Sequence, residues 1–112
     1  MEQQPDVLEL TRRLGREPNV GTALHIMQWN IGDLVKSCTY MNWHPDLATS
    51  YKAEAKLAMA SLTFQACVIM CLLGFDSKEV MDMGVEVVKE RIKEKEKKVG
   101  RFQHYVGDRK DE

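Results

Sequence analysis

The stretch LAMASLTFQACVIMCLL, Leu57 to Leu73, is apolar almost all the way round a helix, and such a helix has to be buried on every side. A bilayer is one place to bury it. At about 1.5 Å per residue the segment rises roughly 26 Å, short of a hydrocarbon core of about 30 Å. Ser61, Thr63 and Gln65 also interrupt it, and its neighbours are amphipathic helices that need an apolar surface to dock on. No membrane is therefore expected. A chain of 112 residues makes one domain with a modest core. The helices beside the segment are short or narrowly striped, so one copy covers it thinly. The segment predicts a bundle shared between two or more copies.

The rest of the chain supplies those neighbours. Pro5 and Asp6 open a short helix to about Leu14, and Gly15, Pro18, Asn19 and Gly21 break it. A second helix is expected from about Thr22 to Met41, with Leu24, Met27, Ile31, Leu34, Val35 and Cys38 recurring as one apolar stripe. Asn42 to Asp46 reads as a loop, because Pro45 disfavours helix at the residue before it. A long helix then runs from about Asp46 to Leu73, with Gly74 as a left-handed cap. Asp76 or Ser77 caps a fourth helix, Glu79 being a capping-box partner for Asp76. Its apolar face is Val80, Met83, Val87, Val88 and Ile92. No run alternates with the period of a strand, so the class is all-α.

Charge excludes some partners. Lys+Arg 16 against Asp+Glu 17 leaves a net charge of -1, which gives no general attraction to nucleic acid. The Glu/Lys alternation between Lys89 and Lys98 is a solvated helix face. Cys38, Cys67 and Cys71 cannot all pair, and two lie in the most apolar segment, where a free thiol packs as a small hydrophobe. That pattern fits a reducing compartment. MEQQPDVLEL has no basic region ahead of an apolar one, so it is not read as a signal peptide, and a cytoplasmic location is expected. His25, His44 and His104 lie on separate elements without metal-ligand spacing, and Cys67 and Cys71, one turn apart, lack the further ligands zinc requires.

One group of polar residues stands out. Trp29, Asn30 and Asp33 lie on the polar side of the second helix, Ser61 interrupts the apolar half of the third, and Lys52 and Glu54 precede it. If the two helices are antiparallel neighbours, these groups face one another across a groove. Trp29 can stack on a base there, and Asn30 and Ser61 can hydrogen-bond a ligand. The bland account is a tryptophan half-covered by a partner chain among solvated polar groups.

The order Trp29-Asn30-Ile31-Gly32-Asp33-Leu34, then LAMASL, then the turn LLGFDSKEV and GVEVVKERIKE resembles the MazG-like all-α nucleoside triphosphate pyrophosphohydrolases over about Thr22 to Glu94. In that family the first of these helices carries Glu-Glu-x-x-Glu and the second Glu-x-x-Asp. Those acids hold magnesium against the phosphates of a nucleotide while water attacks to release pyrophosphate. The resemblance implies a helical bundle assembled as a dimer or a dimer of dimers. Here Trp29 and Asn30 stand where the first two glutamates would be, Asp33 stands for the third, and Ala58 and Ser61 replace the Glu-x-x-Asp pair. Glu54, one turn before Ala58, offers one displaced carboxylate. Magnesium needs hard oxygen ligands, so losing four of five acids should remove metal affinity and most of the rate.

The expectation is thus a four-helix MazG-like bundle completed by oligomerisation, with residues 1–99 as its domain and 100–112 as a charged tail. Its function is that of a catalytically degenerate relative binding a nucleotide or small ligand, through Trp29, Asn30, Asp33, Lys52 and Ser61. No cofactor is expected for it. Two alternatives stand beside it. One is an active enzyme with a rearranged magnesium site on Asp33 and Glu54. The other is a purely structural, protein-interaction module. The expected partner is a second copy, as homodimer or homotetramer.

Overall fold

Side-chain caps fix where the first two helices begin. In the computed structural model, which describes residues 6–106 and side chains through residue 99, Asp6 Oδ1 accepts from the amides of Leu8 (3.1 Å) and Glu9 (3.2 Å). Helix α1, Val7–Arg13, starts there. Asn19 Oδ1 accepts from the Thr22 amide at 2.9 Å and starts α2, Val20–Trp43. Both caps satisfy amides that a helix's first turn leaves without partners. A single 3₁₀ turn, Pro45–Leu47, leads into α3, Ala48–Leu73, and α4 spans Ser77–Val106. The described residues are all-helical, with four α-helices and no strand.

The helix starts and stops differ from expectation at one junction. Asn42 and Trp43 remain helical, so His44 alone separates α2 from the 3₁₀ turn. Tyr40 gathers the rings there: Trp43, His44 and Tyr51 lie 5.7, 6.1 and 5.5 Å from it, centroid to centroid. These contacts tie the end of α2 to the start of α3. At the far end of α3, Gly74 adopts φ 74°, and the Phe75 amide donates to the Met70 carbonyl at 2.8 Å. This is the left-handed cap the sequence predicts. A Cβ on Gly74 meets nothing within 4 Å, so the cost of adding one is purely conformational. Gly74→Ala should lower stability by about 1 kcal/mol, read as an earlier midpoint in urea unfolding.

The chain divides into two compact units, Met1–Asp76 and Ser77–Glu112. In the first, α2 and α3 form an antiparallel hairpin, and α1 packs on α3. The core is small. Val68, 1% exposed, meets Val7 and Ala23, with Leu8, Phe64, Cys67, Ile69 and Leu72 packed around them. Of the cysteines, Cys67 is half-buried, but Cys71 and Cys38 are exposed, so only Cys67 serves the core as expected. The second unit is the single helix α4. Its polar side carries the pairs Lys89–Glu86, Lys93–Glu90 and Lys97–Glu94, 3.5 to 4.0 Å apart and open to solvent. Such pairs contribute little to stability. The helix runs past Gly100, and residues 107–112 of the anticipated tail lie outside the described residues.

Apolar surface is left uncovered in both units. On α2 the expected stripe splits: Met27 and Leu34 are half-buried, whereas Leu24, Ile31, Val35 and Cys38 are exposed. The buried positions of α2 are instead the small residues Ala23 and Ser37, with Asn30 half-buried midway between them at seven-residue spacing. Leu57, Met59 and Leu73 of α3 are exposed, as is the whole α4 face of Val80, Met83, Val87, Val88 and Ile92. By length and composition Pro45–Leu73 is long and apolar enough to cross a membrane, and only 17% of its most apolar window is buried in the chain.

Candidate functional site

The close approach of α2 and α3 leaves a groove of about 290 Å³ on one side of the hairpin. Asn30, Asp33 and Ser37 reach it from α2, at steps of three and four that keep them on one helical face. Glu54, Ala58 and Ser61 reach it from α3 at steps of four and three, running the opposite way. Lys36 and Leu57 complete the lining. Ser37 and Ala58 are buried, whereas Asp33, Glu54 and Leu57 are exposed. The carboxylates therefore keep much of their hydration. Lys36 Nζ lies 5.8 Å from the centre of the Tyr40 ring, a cation–π distance.

One of the lining residues carries a buried polar atom without a described partner. Asn30 Oδ1 is shut off from solvent and accepts no hydrogen bond from any described residue. A buried acceptor left so costs about 1–3 kcal/mol.

Of the residues singled out from the sequence, the structure brings together Asn30, Asp33, Glu54 and Ser61. It does not bring Trp29 or Lys52. Trp29 directly precedes Asn30 and so sits about 100° round the helix from it, 63% exposed, with its ring edge-on to His25 at 5.4 Å. Lys52 lies two residues before Glu54, which puts it on the other side of α3. The residues sequence reasoning missed are Lys36, Ser37 and Leu57. Ser37 had a signal, one heptad beyond Asn30; Lys36 and Leu57 read as ordinary surface and core positions.

As a metal site the donor set is lean. Among the described residues no group of three or more His, Cys, Asp or Glu side chains could hold an ion. The groove offers two carboxylates and the neutral oxygens of Asn30, Ser37 and Ser61, which does not fit a five-acid magnesium site. No family model, no curated protein and no solved structure matches the chain.

Proposed function

We propose that this chain is a catalytically degenerate, MazG-like relative of the nucleotide pyrophosphohydrolases, whose groove between α2 and α3 binds a nucleotide or another small ligand. The observation that carries the reading is the lining of that groove. Asn30, Asp33, Ala58 and Ser61, four of the five positions where the resemblance places metal-binding acids, share one cleft between two antiparallel helices. Only Asp33 of them can be charged. Ligand binding without hydrolysis follows from keeping the cleft and losing the acids that would activate water. In this reading the exposed apolar faces of α2, α3 and α4 are covered by further copies, in a cytoplasmic homodimer or homotetramer.

Titration calorimetry of the full chain against a panel of nucleoside mono-, di- and triphosphates, with and without magnesium, tests the ligand. Binding without turnover is expected; no heat at millimolar nucleotide removes the nucleotide from the proposal. A second reading, an active enzyme with a rearranged site, draws on the convergence of Asp33 and Glu54 on the same groove. It predicts magnesium-dependent pyrophosphate release that Asp33→Asn abolishes, and a chain with no turnover on any nucleotide excludes it.

A further inference from the structure

Helix α4, Ser77–Val106, lies in a compact unit of its own, and every described side chain along it is exposed. A lone amphipathic helix gains little from propensity and needs a partner for its apolar face. Two apolar rows run down it. Val80, Met83 and Val87 form the shorter one, and further along the same row carries Glu90, Glu94 and Lys97. The longer row is Met81, Val85, Val88, Ile92, Lys95 and Val99, at alternating steps of four and three. Its five apolar members are 46% to 68% exposed. Steps of four and three sustained over six positions are the a/d repeat of a coiled coil, here with β-branched Val85, Ile92 and Val99 at a.

The charges beside that row decide what fits it. Asp82, Lys89 and Glu96 flank it at e, and Gly84, Arg91 and Lys98 flank it at g. Two copies aligned parallel and in register set Arg91 of each against Glu96 of the other, and Lys89 meets only Gly84. Antiparallel and fully overlapped, the same two helices set Asp82 against Glu96, Lys89 against Lys89 and Arg91 against Arg91. Those are all like pairs. Among the described residues Arg91 and Glu96 form no ion pair within the chain, whereas Lys89–Glu86, Lys93–Glu90 and Lys97–Glu94 are paired along the helix. Lys95 is the one charged member of the row. Its methylenes cover the seam while its ammonium snorkels toward Glu96 of the second copy.

We propose that α4 pairs with α4 of a second copy as a parallel, in-register, two-stranded coiled coil. The inference rests on the reading that further copies cover the apolar faces, and it names which helix covers α4 and in which direction.

The test uses the full chain with the exposed Cys38 and Cys71 replaced by serine, carrying Val88→Cys or Lys95→Cys, in a glutathione redox buffer. Both are d positions, where parallel helices in register bring identical residues within disulfide reach. Each variant should bridge to the same position of the second copy, identified by peptide mapping, about a hundredfold more readily than Lys93→Cys on the outer side. No antiparallel register allows both bridges. In the Val88→Cys chain, Arg91→Glu should lower the bridged fraction about fivefold, and Glu96→Arg added to it should restore most of the loss. The proposal is overturned by the absence of either bridge, by Lys93→Cys bridging as readily, or by a charge-exchanged chain that bridges no better than Arg91→Glu alone. A wild-type chain that sediments as two or four copies while neither bridge forms removes this pairing and leaves the shared assembly standing. A wild-type monomer removes both.

Discussion

Ile31→Asp combined with Val35→Asp should turn the proposed assembly into single chains. Both residues lie on the outward stripe of α2, with Val35 59% exposed in the isolated chain. As surface residues they should tolerate aspartate with the helical circular dichroism intact. Packed against a second copy, each carboxylate would be desolvated without a partner. The dissociation constant should then rise at least about a hundredfold, the range seen when central interface side chains are lost. Sedimentation equilibrium reads the change directly. Aspartates at Lys93 and Lys97, on the solvated side of α4, are the control and should leave the mass unchanged.

Val68→Asp should have the opposite signature, loss of the fold itself. Val68 is 1% exposed at the centre of a core whose other buried members are Val7 and Ala23. Val7, Ala23, Phe64, Cys67 and Leu72 pack around it, and a carboxylate buried among such apolar side chains costs several kcal/mol. Domains of this size are stable by only about 5–15 kcal/mol. The cooperative thermal transition of α1, α2 and α3 should vanish or fall by tens of degrees, measured by circular dichroism at 222 nm. Val68→Ala, which only deletes methyl groups, should cost about 1–3 kcal/mol and retain a transition.

The two variants divide the apolar residues into those the single chain buries and those it leaves outside, a division only partly legible in the sequence. Helix existence, the Asp6 cap and the left-handed Gly74 were legible because each rests on local chemistry within a few residues. The face on which α2 meets α3 was not. Hydrophobicity picks out Leu24, Ile31, Val35 and Cys38, yet the positions α2 buries are Ala23 and Ser37, with Asn30 half-buried between them. Small side chains allow the backbones to come close, and closeness carries no hydrophobic signal in a sequence. The same geometry decided the candidate site. Asn30 and Ser61 share the groove because they sit on those inner faces, whereas Trp29 and Lys52 neighbour the right residues in sequence and are rotated off them by the helical turn. The end of α2 was misplaced for a related reason. Pro45 constrains only His44 before it, and the ring contacts of Tyr40 with Trp43 and Tyr51 carry the helix on to Trp43.

In the proposed assembly a second copy covers the apolar faces that each unit by itself leaves bare on α2, α3 and α4. Sedimentation equilibrium of the wild-type chain at micromolar concentration, in buffer without detergent, tests it most directly. A chain of 12.9 kDa should sediment as a discrete species of two or four copies. A monomer at those concentrations, or protein that stays in solution only with detergent, would contradict it.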